Sequence, residues 1–188
     1  MLSIDEPLWD RAGTCCFTGH RPDRLPSGYR RDPAACAPLR SALREAILQA
    51  VRDGFTTFLS GMALGVDTWA AEEVLSLKTA GLPLRLTAAL PCPEQDARWR
   101  EADRKQYRAL LKQVDDVFLA CDRYTPYCMS ARNRWMTAHS SRLIAVFGGG
   151  PGGTANTVRY AEEQGLEIVR IDPREARIVS GVQERQKL

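Results

Sequence analysis

Three short stretches carry residue types that could hold a phosphate. The first is Ser60-Gly61-Met62-Ala63-Leu64-Gly65-Val66-Asp67-Thr68, which directly follows a β-branched and aromatic run at 56–59. Gly61 and Gly65 have no Cβ, so the backbone there can turn sharply and lie close to another group. Asp67 and Thr68 then open a helix whose Ala70, Val74 and Leu77 share one face. A strand–glycine loop–helix of this kind leaves free N–H groups at the helix start, aimed past the end of the strand. α/β sheets bind phosphate-bearing ligands there. The plain alternative is a tight turn whose glycines serve local geometry alone.

The second stretch, Gly148-Gly149-Gly150-Pro151-Gly152-Gly153-Thr154, is the densest glycine cluster and again lies between an apolar strand and a helix. It satisfies GxGxxG through Gly148, Gly150 and Gly153. It also spaces like a P-loop, but Thr154 stands where the lysine would be, which argues against a Walker-type clamp. The third, Thr18-Gly19-His20-Arg21-Pro22, ends the first strand. Arg21 can fork two hydrogen bonds to a phosphate and Thr18 offers a hydroxyl, whereas His20 could simply cap or pack.

Smaller contributions are open at Gln95, a side-chain amide; at Trp99, a stacking face or a core residue; and at Asn133 and Ser140, beside the strand at 142–147. Asp67 could hold a ribose hydroxyl or merely offset its helix N-terminus. No catalytic set emerges, since GxSxG and HExxH are both absent. With only His20 and His139 as histidines, acid–base work would fall to Glu72 or Asp67. Six cysteines without a CxxC pair make a structural zinc site implausible, and no metal is expected.

The elements that must position these loops follow from periodicity. Strands are predicted at 14–18, 56–59, 84–90, 114–119, 142–147 and 167–171, and helices at 34–52, 67–80, 94–111, 130–138 and 155–164. Leu39, Leu43, Ile47 and Val51 form the inner stripe of the first helix, and Trp99, Ala102, Leu110 and Leu111 that of the third. Pro26 and Gly28 mark a loop that runs to Pro33. Strands alternating with helices predict a single-domain, Rossmann-like α/β fold with a mainly parallel sheet and helices on both faces. Residues 14–173 would form that domain, with tails at 1–13 and 174–188. A net charge of +3 implies no general attraction to nucleic acid or membrane. No stretch approaches the ~20 apolar residues of a membrane span, and cysteines without a signal peptide point to a cytoplasmic protein.

The combination Cys16-Phe17-Thr18-Gly19-His20-Arg21-Pro22, the stretch from Ser60 to Glu72, Asn133-Arg134-Trp135-Met136 and Gly152-Gly153-Thr154-Ala155-Asn156-Thr157-Val158 resembles the YpsA-like group of the SLOG superfamily. That superfamily also holds the DNA-processing protein DprA and the LOG phosphoribohydrolases. The resemblance implies a Rossmann-like domain that binds a nucleotide or a nucleotide derivative of the NAD or ADP-ribose kind, as a sensor or regulator. It maps ligand-facing positions onto Gly19, His20, Arg21, Gly61, Gly65, Asp67, Glu72, Gly152, Gly153 and Thr154, and carries an expectation of homodimers. The alternative it raises is hydrolysis of a nucleotide N-glycosidic bond. LOG enzymes carry Pro-Gly-Gly-x-Gly-Thr-x-x-Glu, however, and Arg159 stands here at the glutamate position. A third reading is DprA-like binding of single-stranded nucleic acid. The lack of a conspicuous basic stripe sets nucleic acid aside as a partner.

Overall fold

Residue 15 and residue 16 point to opposite sides of one strand, and each is fully buried. That is the signature of a strand covered on both faces, as a parallel sheet requires. A computed structural model describes residues 10–25 and 33–180. Its elements are β1 (Thr14–Gly19), α1 (Pro33–Arg52), β2 (Thr57–Ser60), α2 (Val66–Thr79), β3 (Arg85–Leu90), α3 (Glu101–Leu111), β4 (Asp116–Leu119), α4 (Cys128–Ala138), β5 (Arg142–Val146), α5 (Gly153–Glu163), β6 (Glu167–Asp172) and β7 (Arg177–Ser180). The loop expected around Pro26 and Gly28, residues 1–9 and residues 181–188 lie outside the described residues.

The seven strands form one sheet in the order β4-β3-β2-β1-β5-β6-β7. All neighbours are parallel except β6 and β7. One face packs Phe17, Phe58, Leu86, Ile144 and Ile171 against α1, α2 and α3. The other packs Cys16, Leu59, Leu143 and Ala145 against α4 and α5. The sheet is therefore doubly wound, a single α/β domain of Rossmann-like type. After β4 the chain returns across the second face through α4 to place β5 beside β1. Strand order reverses at β1–β5, and the crevice beyond the carboxyl ends of those two strands is the expected ligand position.

Three expectations need correction. The segment 94–99 forms turns, and α3 starts only at Glu101. Gln95 and Asp96 point their side chains into the protein, toward the Met62 carbonyl and toward Arg108, and this holds the segment out of helical register. Ala102 is exposed, and Tyr107 takes the inward position with Leu110. The polar segment from Arg174, expected to be a tail, contains β7, which pairs antiparallel with β6 at the sheet edge. Among the described residues no helix is long and apolar enough to cross a membrane.

Leu43 is only 1% exposed at the centre of the α1 interface. Leu43→Ala should lower the unfolding free energy by about 2–5 kcal/mol. Val117→Ala, at an exposed edge position, should change it by less than about 0.5 kcal/mol. Urea titrations of both variants check the contrast.

Candidate functional site at the strand-order reversal

The turns after β1 and β5 meet the start of α2 and one flank of α4 around a cleft of about 410 Å³. Of the residues singled out in the sequence, Thr18, Gly19, His20 and Arg21 enter it from β1 and its turn, Asp67 from α2, Asn133 from α4, and Gly152, Gly153 and Thr154 from the start of α5. Three glycines explain how these elements approach so closely. A Cβ on Gly19 would lie 2.4 Å from the Cβ of Val66, so β1 can end against α2 only without one. Gly65 has φ +97°, and a Cβ there would sit 2.6 Å from the His20 carbonyl oxygen. On Gly61 it would fall 1.7 Å from an Arg132 nitrogen.

Gly65 therefore packs two loops together and does not line the cleft. Two of the N–H groups expected to be free at the start of α2 are already used: Val66 N–H donates to the His20 carbonyl (3.4 Å) and Thr68 N–H to that of Ala63 (3.2 Å). The open helix start is that of α5. Its cap residue Gly152 has φ +140° and forms no side-chain cap, and nothing lies within 4 Å of where a Cβ on Gly153 would be. Such a terminus favours an anion.

His20 fastens the two sides. Its Nε2 accepts the Gly148 N–H at 3.3 Å, which leaves the proton of the neutral ring on Nδ1. Burial lowers its pKa, nearby Arg24 lowers it further, and Asp23 opposes both. Arg24 adds a second tie, donating to the Pro151 carbonyl at 3.1 Å. Asn133 donates to Thr157 Oγ1 at 2.9 Å, and Thr157 donates to the Gly153 carbonyl at 3.0 Å, so α4 holds the first turn of α5.

Beneath the cleft lies a buried polar layer. Arg132, only 5% exposed, donates to the Gly61 carbonyl and stands 3.8 Å from Asp67 Oδ2. Ser60 Oγ donates to the Asp67 carbonyl (2.8 Å) and accepts from Met62 N–H (3.1 Å), and Gln95 Nε2 donates to the Met62 carbonyl (2.8 Å). These bonds hold Met62 at φ +53°, a left-handed backbone that a non-glycine residue keeps only when its surroundings enforce it. Burial pushes the Asp67 carboxyl up, more than Arg132 and Arg21 pull it down.

Five of the expected ligand contacts thus lie elsewhere. Ser60, Gly61 and Gln95 belong to the polar layer, Gly65 to the loop contact, and Glu72 to an ion pair with Arg40 (2.9 Å) and a hydrogen bond from Gln106. Glu72 does not line the cleft, and the carboxylates that do are Asp67 and Asp23. Trp99 packs edge-on against Tyr107 at 4.9 Å, and Ser140 is fully buried. Arg159, at the hydrolase glutamate position, pairs with Asn156 (3.3 Å) and Glu163 (3.9 Å). Among the described residues no group of three or more metal-binding side chains occurs. The cleft also contains Arg132, Arg24, Asp23 and Met129, none of which was singled out. One signal was available: Met129, Arg132 and Met136 share a helix face, so the inward stripe of α4 carries a charge.

Gly65→Ala should destabilise the protein by more than about 1 kcal/mol in chemical denaturation, because it meets both a positive φ and a carbonyl. Asp67 yields a pH prediction. Its folded pKa is raised, so relative to Asp67→Asn its stabilising contribution is complete below the unfolded carboxylate value, near pH ~4. It declines as pH rises through the folded value. Unfolding curves from about pH 4 to about pH 7 should show the wild type losing stability relative to Asp67→Asn. A flat difference would contradict the assignment.

Comparison with known proteins accords with this geometry. Residues 15–175 match the family model described as the YspA SLOG family. UPF0398 proteins of Bacillus cereus (strain B4264) and Bacillus thuringiensis (strain Al Hakam) are each 29% identical over 151 residues, covering 79% of this chain and 82% of theirs. The fold is similar to that of DprA from Streptococcus pneumoniae (TM-score 0.59, 16% identity, 85% of this chain and 50% of that one). It is also similar to DprA from Helicobacter pylori (TM-score 0.57, 17% identity, 87% and 66%). The chain spans half the length of the first and about two thirds of the second. The Helicobacter structure is described for the single-stranded DNA binding mode of that protein. A fold similar to that of a protein described as binding single-stranded DNA overturns the expectation that set nucleic acid aside as a partner, which rested on the lack of a conspicuous basic stripe in the sequence. Taken with the cleft and the strand order, the match over residues 15–175 places the chain in the YspA SLOG family.

Proposed function

We propose that the cleft binds a nucleotide or nucleotide derivative by its phosphate. The observation that carries this reading is the uncapped start of α5, at Gly152-Gly153-Thr154, in the same cleft as the Arg21 guanidinium. The helix start supplies N–H donors and a partial positive charge, and Arg21 supplies a planar fork for two phosphate oxygens. Arg21 is exposed and forms no ion pair among the described residues, so its donors are available. Asp67, on the opposite wall, is placed to meet a ribose hydroxyl, as acceptor when ionised and as donor when its raised pKa keeps it protonated. The Met129 side chain adds an apolar stretch to the lining and suits a ring.

A second reading is that the nucleotide is one unit of single-stranded DNA. The fold shared with Helicobacter pylori DprA supports it. The two readings share the phosphate chemistry and differ in what extends beyond it.

Calorimetric titration with 5′-AMP, ADP-ribose and a thymidine dodecamer tests both. Arg21→Ala should weaken the best ligand by about tenfold or more, the effect of losing a charge-assisted hydrogen bond. An undiminished affinity in a folded Arg21→Ala protein would overturn the phosphate assignment. Strand binding should weaken linearly in log affinity against log salt. Equal affinity for the dodecamer at low and high salt would remove the second reading.

A further inference from the structure

A second cavity, of about 580 Å³, adjoins the cleft and is not needed for a single nucleotide. It is open to the turn after β1, to Gly148 and Gly149 after β5, and to the reversal between β6 and β7. His20, Asp23 and Arg24 form the wall that it shares with the cleft. Its existence follows from β7. Because β7 runs antiparallel to β6, the chain must reverse at the carboxyl end of β6, on the sheet edge where the turns after β1 and β5 already lie. Asp172 holds this reversal by accepting from the N–H groups of Arg174 (2.7 Å) and Glu175 (3.2 Å). Pro173 can pack on the glycine loop because a Cβ on Gly148 would lie 3.2 Å from its ring.

The chemistry of the cavity is that of a phosphorylated ring compound. Leu25 and Pro173 are buried and make an apolar surface. Arg174 is exposed at the rim and has no ion pair among the described residues. Arg24 faces both cavities and uses one nitrogen on Pro151, which leaves further guanidinium donors for the junction. His20, neutral and occupied by Gly148, adds no charge to the partition.

We infer that this cavity is a second subsite and that the ligand consists of two nucleotide units joined through phosphate, one on each side of the His20–Arg24 wall. Arg24 meets the linking phosphate and Arg174 the far unit. The inference rests on the nucleotide reading of the first cleft. The joined units have two sources: a free dinucleotide bridged by pyrophosphate, or two consecutive units of a single strand.

Affinities for AMP, dTMP, NAD⁺, the dinucleotide pTpT and a thymidine dodecamer, measured at one fixed salt concentration, test it. The wild type should bind NAD⁺ or pTpT at least about tenfold more tightly than the matching mononucleotide. Arg174→Ala should remove most of that margin and leave mononucleotide affinity unchanged, while Arg21→Ala weakens every probe. Arg159→Ala removes the same charge from an exposed position elsewhere and should change nothing. Preference for NAD⁺ identifies the free dinucleotide, and preference for pTpT and the dodecamer identifies the strand. Mononucleotide binding with no two-unit margin, or a margin that survives Arg174→Ala, overturns the second subsite and leaves the first reading standing. No binding of any probe overturns both.

Discussion

The buried charge of Arg132 is the constraint on which the rest of the site depends. A guanidinium removed from water must be matched by acceptors, or it costs several kcal/mol. Here the acceptors are the Gly61 carbonyl and, at longer range, the Ala89 carbonyl and Asp67. Gly61 must lack a side chain to admit the arginine, Met62 must adopt a left-handed backbone to turn its own carbonyl toward Gln95, and Ser60 must tie that turn to α2. The loop after β2 is thereby a rigid floor. Asp67 stands on this floor at the lining of the cleft, and burial pushes its carboxyl up more than Arg132 and Arg21 pull it down.

The opposite wall follows a different principle. The glycine loop after β5 is tied at Gly148 by His20 and at Pro151 by Arg24. Between those ties, positions where a Cβ on Gly149 or Gly150 would lie have nothing within 4 Å. One side of the cleft is therefore locked by buried hydrogen bonds, and the other is pinned at two points with open backbone between them. That division suits a site whose fixed side orients a ligand and whose glycine side adapts to it.

Much of the fold was legible because its signals are local. The spacing Leu39, Leu43, Ile47 marks a helix face, and the run ending at Phe147 marks a strand, whatever the rest of the chain does. Glycine positions were legible too, but their reasons were not. What excludes a side chain at Gly61 is Arg132, 71 residues away along the chain. Glu72 looked like a cleft residue because it follows the loop closely in sequence, yet its position on α2 turns it toward Arg40. β7 was hidden because it is short and edge-lying, and its only apolar residues, Ile178 and Val179, are an exposed pair within a polar segment. Nine of the expected contact positions do converge, since all βα turns of a parallel sheet leave by one edge.

The place of β1 in the middle of the sheet also sets a schedule for the nascent chain. Its partner on one side, β2, follows within about 40 residues, whereas Cys15 pairs on the other side with the position of Arg142. During synthesis at roughly 5–20 residues per second, the first four strands can assemble while one edge of β1 remains unpaired. That edge is apolar on both faces, the kind of surface that invites pairing with other chains. Only when β5 emerges is it covered, and the same event brings Gly148 and Pro151 to His20 and Arg24. Completion of the sheet and construction of the cleft are one late step, so a chain truncated before β5 lacks the site and is left with an aggregation-prone edge.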